Sequence, residues 1–515
     1  MSVVDDVMLS ARFCRRNASR RWIAHQRDQS TAAHRQQDLN ALIHHGSRWT
    51  TEGSVVKDDP TPPSGGALSG KTIAIKDNIT TRDLPTTAAS KTLAGYTSPF
   101  DATVVKLLRH HGAIIAAKAN LDAFGMGSHT QHSHSGAALS PYSRNGVPLS
   151  PGGSSGGSAV AVAMGQCWAA LGTDTGGSVR LPAAYAGVVG FKPSYGVLSR
   201  WGVVQYANSL DTVGILGRSV EGVKQVFGCL DGHDGRDPSS LSRSVKERFG
   251  RPRRVLKELR IGVPVEYNIA ELSPAVRSTY LRTLGLLQDH GHSLHAVSLP
   301  TTRQALSAYY VLAPAEASSN LAKYDGIRYG YRTDGPDASP KNSLPLYART
   351  RGEGFGEEVK RRILLGAYTL SSEAIDNYFI QAQKVRRLVQ RDFDGVFAQP
   401  NPLLESDDLG TGAGDKGREG VDVLLTPTAP TLPPTVEEVK RQSSVESYMN
   451  DVFTVPASLA GLPAISVPVG LSGRETEGME ETDVQSVGMQ LVGQFGDDEL
   501  VLQAAELLEQ LDGRA

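Results

Sequence analysis

Short apolar runs, set between glycine-, proline- and serine-rich stretches, give this chain its rhythm. Thr72-Ile73-Ala74-Ile75-Lys76 is too short for a helix and reads as a buried strand. Downstream, Asp101 is placed to cap a helix whose apolar stripe takes in Val104, Leu107, Leu108 and His111, with Gly112 to end it. A second strand follows over Ala113-Ile114-Ile115-Ala116-Ala117. Strand, helix and strand in quick succession predict an α/β sheet. Later strands are expected over Arg260–Val265, Val421–Leu425 and Ala464–Val467, and charge-bearing helices over 353–393.

Residues 150–196 stand apart, being rich in Gly, Ser and small apolar residues with no charged residue between Ser150 and Asp174. The apolar runs Ala159–Ala163 and Trp168–Leu171 between the glycines predict a tightly packed centre rather than a linker. Polar, Pro- and Gly-rich residues 51–70 read as a linker, and 400–420 as a low-complexity, mobile insertion. This divides the chain into residues 1–50, the linker 51–70 and one domain over 71–510.

Composition narrows the class. The chain has 515 residues, 39% hydrophobic and 21% charged, which suits a globular protein with a substantial core. Its 53 basic and 54 acidic residues leave a net charge of −1, which argues against wide phosphate-backbone binding by this chain alone. Cys14, Cys167 and Cys229 form no CxxC pair, so neither a disulfide framework nor a thiolate metal site is expected. No run of 18 apolar residues predicts a membrane span. Between Asp6 and Asp28 the only charges are on Arg12, Arg15, Arg16, Arg20, Arg21 and Arg27, interleaved with Leu9, Phe13 and Trp22. That start matches a mitochondrial transit segment, and equally an ordinary first helix with a basic face.

The chemistry lies in two serine–glycine strings. Ser154 sits in Pro151-Gly152-Gly153-Ser154-Ser155-Gly156-Gly157-Ser158, and Ser178 follows 24 residues later in Asp174-Thr175-Gly176-Gly177-Ser178. Glycines around a serine open backbone angles closed to other residues and let N–H groups converge on one cavity. Such donors beside a hydroxyl nucleophile make an oxyanion hole, assigned to Thr175, Gly176, Gly177 and Ser178. Lys76, ending an apolar strand, can be both buried and aimed at a site. A lysine is a base only when neutral, and desolvation without a carboxylate partner lowers its pKa. From that segment alone, a lysine snorkelling out of a strand end is the simpler reading.

Together the strings Ile75-Lys76-Asp77-Asn78, SPGGSSGGSAVAVA from Ser150 and LGTDTGGSVRLPAAYAGVVGFKPSYG from Leu171 resemble the amidase signature family. The resemblance implies a single large domain with a central mixed β-sheet covered by helices on both faces. It also implies a Ser–cis-Ser–Lys triad of Ser178, Ser154 and Lys76, with a cis peptide bond at Ser154. Within the family, YYVLAPAEASSNLAKYDGIRYGYR from Tyr309, EGFGEEVKRRILLG from Glu353 and YMNDVFTVPASLAGLPAISVP from Tyr448 are similar to the A-subunit branch of the glutamyl-tRNA(Gln) amidotransferases. That likeness implies that Tyr309, Arg362 and Asp451 hold the α-amino and α-carboxylate groups of glutamine. It further implies a B subunit that carries ATP and Mg, a small accessory subunit, tRNA bound mainly by the partner, and the mitochondrial matrix as location. No cofactor and no ATP site are assigned to this chain.

Three other readings compete. Gly152-Gly153-Ser154-Ser155-Gly156 satisfies GxSxG, but Pro151 spoils the strand that a nucleophile elbow needs. A stand-alone hydrolase of small or apolar amides would leave Arg362 and Asp451 nothing to bind. His129, His132 and His134 could hold a metal, although an exposed polar loop is the simpler expectation.

Overall fold

Strand β2 (Thr72–Lys76) is buried on both faces: Ile73 and Ile75 enter one core cluster and Ala74 another. That is why a five-residue segment whose apolar residues Ile73, Ala74 and Ile75 run without alternation makes a strand here. In the computed structural model, residues 39–45, 65–249, 258–338, 345–404, 420–476, 479–480 and 482–513 are described. The arginine-rich start, Cys14 and most of the 400–420 stretch lie outside them.

The sheet has eleven strands. The other ten are β1 (Leu42–His45), β3 (Ile114–Ala119), β4 (Ala169–Asp174), β5 (Val189–Lys192), β6 (Thr212–Gly217), β7 (Arg260–Pro264), β8 (Ser293–Val297), β9 (Val423–Pro427), β10 (Ala464–Gly470) and β11 (Ser486–Val492). Their spatial order is β1-β3-β2-β4-β6-β5-β10-β11-β9-β7-β8. Pairing is mixed: β3-β2-β4 and β9-β7-β8 are parallel runs, joined by antiparallel partners in between. The α/β class and the mixed sheet expected from the sequence are what the chain adopts.

Helices cover both faces. Ile465, Leu425 and Leu491 belong to one large core with α1 (Thr103–His110), α4 (Val220–Leu230), α5 (Pro274–Asp289) and α10 (Asp498–Leu511). Their strand neighbours Ala464, Leu424 and Val492 belong to the other, with α6 (Thr302–Asn320), α7 (Glu357–Thr369) and α8 (Phe379–Val396). Alternation of side chains across a strand produces this division. Short helices α2 (Gly156–Ala163), α3 (Arg180–Ala186) and α9 (Val455–Ala460) fill the middle.

One local expectation fails. Asp101 does not cap α1, whose N-cap Ala102 makes no side-chain bond. Its carboxylate instead accepts from Arg82 N (2.8 Å) and pairs with the Arg109 side chain (3.3 Å), and an ion pair of that kind outcompetes a cap. Gly112 does follow the helix, in a left-handed conformation at φ +83°.

Candidate active site

The end of β2 delivers Lys76 into the molecule, where the residue is 0% exposed. Its Nζ donates to Ser154 Oγ (2.8 Å), Ser155 Oγ (2.7 Å), Thr173 Oγ1 (2.9 Å) and the Thr173 carbonyl (3.3 Å). Among the described residues no carboxylate comes within ion-pair range of it, because Asp77 turns away to Lys118 (3.4 Å). Burial pushes the Lys76 ammonium down from 10.5 to about 7, against the pull of the more distant Asp122, Asp174 and Asp211. The snorkelling alternative is thereby excluded.

Ser154 follows a glycine hairpin at the entry to α2. The cis peptide bond implied by the resemblance is not present: among the described residues every peptide bond is trans. The chain turns instead through two successive left-handed glycines, Gly152 (φ +72°) and Gly153 (φ +49°), which need no Cβ clearance. In this arrangement the Ser154 N–H donates to Ser178 Oγ (3.2 Å), while the Ser154 hydroxyl faces Lys76. Among the described residues no hydrogen bond joins the two hydroxyls directly, so Ser154 touches Lys76 with its side chain and Ser178 with its backbone.

Ser178 itself lies on the loop leaving β4 and is half-buried, more exposed than Lys76 or Ser154. The loop is anchored at its base by a buried ion pair, Asp174 with Arg180 (2.9 Å), whose guanidinium also donates to the Thr454 carbonyl, Gln490 Oε1 and Ser458 Oγ. A buried pair whose remaining donors are satisfied fixes geometry. Thr454 Oγ1 further donates to the Gly176 carbonyl (2.7 Å) and Thr175 Oγ1 to Asp211 (2.8 Å). Among the described residues the backbone N–H groups of Thr175, Gly176, Gly177 and Ser178 have no protein acceptor. A Cβ on Gly176 would lie 2.6 Å from Tyr309 Cζ, and one on Gly177 would lie 2.2 Å from Thr454 Oγ1. Only glycine lets this loop approach its surroundings so closely.

Of the three residues assigned to glutamine, Tyr309 and Asp451 pack against that loop, and Arg362 is linked to it through Tyr206, whose N–H shares Asp211 with Thr175 Oγ1. Tyr309 on α6 is buried against Gly176. Asp451 lies 3.0 Å, through Oδ1, from the position of a Gly177 Cβ and accepts from Ser128 Oγ (3.0 Å). Burial pushes its carboxyl up from 3.8 to about 7. Arg362 on α7, in a charge-rich helical stretch, is nonetheless buried. It donates from Nε to Glu358 (2.8 Å) and from Nη1 to the Tyr206 hydroxyl (2.7 Å), with the rings of Tyr206, Tyr310 and Tyr448 within 6 Å of its guanidinium carbon. Three N–H groups of its fork have no acceptor among the described residues. The arrangement sets a buried carboxylate and a row of amides without a protein acceptor among the described residues on the loop of one half-buried hydroxyl, with a buried guanidinium linked to that loop through Tyr206.

Sequence reasoning missed several contributors. Ser155 and Thr173 share Lys76 with Ser154, and Asn78 Nδ2 donates to Thr173 Oγ1 (3.1 Å). Glu358 was legible in principle, lying four residues before Arg362 on one helix face. Tyr206, in the segment between β5 and β6, gives no local signal. The histidine group divides: His132 and His134 are exposed, as a polar loop requires, but His129 is buried. Its ring lies 2.8 Å from Ser150 Oγ and 3.3 Å from Asn450 Nδ2, and burial holds it neutral with a pKa of about 4. Among the described residues no cluster of His, Cys, Asp and Glu could hold a metal ion.

A further string needs correction. Residues 65–72, GGALSGKT, satisfy GxxxxGK[ST], a pattern that the assignment of no ATP site passes over. A phosphate loop follows a strand and opens a helix, whereas this one runs into β2. Its amides are spent within the protein, Leu68 N on the His111 carbonyl and Gly70 N on Gly112, and Lys71 lies over the Trp168 ring (4.7 Å). No phosphate cradle remains.

The Amidase family model matches residues 29–502. The chain is 56% identical to the A subunit of the mitochondrial glutamyl-tRNA(Gln) amidotransferase of Ajellomyces capsulatus, over 92% of this chain and 96% of that one. Its identity to the same-named protein of Coccidioides posadasii is 58%, with the same coverage. Among solved structures, the A subunit of the glutamyl-tRNA(Gln) amidotransferase of Thermotoga maritima superimposes with a TM-score of 0.68 at 33% identity, covering 94% of this chain and 90% of that one.

Proposed function

The chain belongs to the amidase family, and from that premise we propose that it is the glutamine-hydrolysing A subunit of a mitochondrial glutamyl-tRNA(Gln) amidotransferase. The observation that carries the reading is a buried lysine, held near neutrality, with its Nζ on the hydroxyl of a serine whose backbone touches Ser178. Neutral Lys76 takes the Ser154 proton, Ser154 takes that of Ser178, and Ser178 Oγ attacks the side-chain amide carbon of glutamine. This relay requires the Ser154 hydroxyl to turn from Lys76 toward Ser178 Oγ, which the Ser154 N–H already touches. The oxyanion is held by the free amides of residues 175–178. The C–N bond breaks, the proton returns from Lys76 to the leaving nitrogen, and ammonia departs. Water then hydrolyses the γ-glutamyl ester to glutamate.

Free glutamine, rather than an apolar amide, is favoured by the substrate end. The buried Arg362 fork suits an α-carboxylate, and buried Asp451 suits an α-ammonium. Tyr309 closes the pocket over Gly176. Ammonia passes to a B subunit, where ATP and Mg activate Glu-tRNA(Gln), with a small accessory subunit completing the assembly. The tRNA is held mainly by that partner. Among the described residues no helix is long and apolar enough to cross a membrane.

The test is ammonia release from glutamine by the purified chain, alone and with its copurifying partner, compared with Ser178→Ala. Loss of activity in a folded Ser178→Ala protein is expected. Ammonia release persisting in that variant removes Ser178 as nucleophile.

A further inference from the structure

Thr130 lies outside both serine strings, yet its hydroxyl touches each end of the dipeptide that holds Lys76. Its Oγ1 donates to the Gly153 carbonyl (2.7 Å) and accepts from Gly156 N–H (2.9 Å). Ser154 and Ser155, the two serine acceptors of Lys76, are the residues between those contacts. The residue is fully buried and sits at φ +53°, a conformation uncommon for a β-branched side chain that only surrounding contacts sustain. Those contacts come from buried Asp122, whose carboxylate accepts from Thr130 N (2.8 Å) and His132 N (2.8 Å). The other side of the clamp is fitted as well. A Cβ on Gly156 would stand 2.4 Å from Thr130 Oγ1, so glycine at the first position of α2 is what admits the hydroxyl.

We propose that Thr130 is a positioning residue for the proton relay: its hydroxyl clamps the chain on either side of Ser154-Ser155 and so sets both serine hydroxyls against Lys76. The inference rests on the triad reading above. One hydroxyl suffices, because its single proton fixes the carbonyl before Ser154 and its lone pair fixes the amide after Ser155. The hairpin Gly152-Gly153 is also tied by Gly152 N–H to Ser150 Oγ (3.1 Å) and by Ser155 N–H to the Ser178 carbonyl (3.2 Å), but among the described residues only the Thr130 hydroxyl bonds to the chain on both sides of Ser154-Ser155. The charged groups that act on the lysine are Asp122, Asp174 and Asp211, and Asp122 is bound by the Thr130 backbone N–H rather than by its hydroxyl.

The test uses the full chain and an irreversible fluorophosphonate, which reports Ser178 reactivity without needing glutamine to bind. Thr130→Val keeps the shape and deletes the hydroxyl. It is expected to slow Ser178 labelling by about 10–100-fold, the scale of a misplaced catalytic group. The acid limb of the pH–rate profile should also move to lower pH, since an ammonium deprived of hydroxyl acceptors loses its proton more readily. Thr130→Ser should restore both. A Thr130→Val protein labelled at the wild-type rate, or slowed with its acid limb unmoved, overturns the role. If the valine variant does not fold, Gly156→Ala displaces the hydroxyl without deleting it, and a wild-type profile there overturns the role equally. A wild-type chain that is not labelled at Ser178 overturns the triad reading itself, which separates the two failures.

Discussion

Lys76 Nζ stands 2.8 Å from Ser154 Oγ, both residues buried, with no carboxylate of the described residues in ion-pair reach of the ammonium. A lysine so placed carries a cost. The folded protein depresses its pKa from 10.5 to about 7, so between those values the unfolded chain binds more protons here than the folded one. The stability that this site contributes is fully present above about 10.5 and is lost as the pH falls toward 7. Lys76→Met should abolish glutamine hydrolysis while melting above the wild type at pH 7. The gap should narrow as the pH approaches 10. Thermal melts across that range decide it, and a variant that melts below wild type at pH 7 contradicts the assignment.

Arg362 is held by Glu358 and Tyr206, which on the proposed function would orient its remaining donors before glutamine binds. Arg362→Lys keeps the charge and loses the fork. Hydrogen bonds to charged groups contribute ~1.5–3 kcal/mol, so KM for glutamine should rise roughly 10–100-fold. Hydrolysis of a simple amide without an α-carboxylate should change by less than about twofold on the same argument. Equal losses on both substrates would take Arg362 out of the substrate pocket. Tyr206→Phe should show the same selective effect in milder form.

Asp451, with its carboxyl pushed up to about 7 by burial, must ionise to meet an ammonium. KM for glutamine should therefore fall as the pH rises through about 7, and Asp451→Asn should give a higher and flatter profile. Steady-state kinetics between pH 6 and 8 would show this, and a wild-type KM independent of pH would refute it.

At Gly176 a methyl group would stand 2.6 Å from Tyr309 Cζ and 2.8 Å from its hydroxyl. Gly176→Ala should thus lower kcat and raise KM together. Combining it with Tyr309→Ala opens the space, and should restore Ser178 labelling by a fluorophosphonate without restoring low KM. If the double variant labels no faster than Gly176→Ala, the clash is not what disables the site.

What the sequence disclosed, and what it withheld, follows from locality. The strands Thr72–Lys76, Ile114–Ala119 and Ala464–Gly470 were legible, the last two as 113–117 and 464–467, because each contains a compact apolar run between breakers. Val189–Lys192 and Thr212–Gly217 were not separately legible, because glycines interrupt both and their identity as strands comes from pairing with each other. The serine strings are contiguous and chemically unusual, so they could be read directly. The Thr130 clamp, the His129 contacts and the Tyr206–Arg362 bond each join segments that share no pattern, and only the folded chain reveals them. Where a cis bond was expected, the chain instead has two consecutive left-handed glycines, Gly152 and Gly153.

The guanidinium of Arg180 reaches from the base of the Ser178 loop to Gln490, 310 residues further along the chain, and to Thr454 and Ser458 on the way. A chain emerging from the ribosome, or threading unfolded through a translocation pore, therefore carries Ser178 long before it carries the partners that anchor its loop. The loop that carries Ser178 is locked at its base only once the last strand is in place, so a copy that ends before Gln490 lacks that anchor.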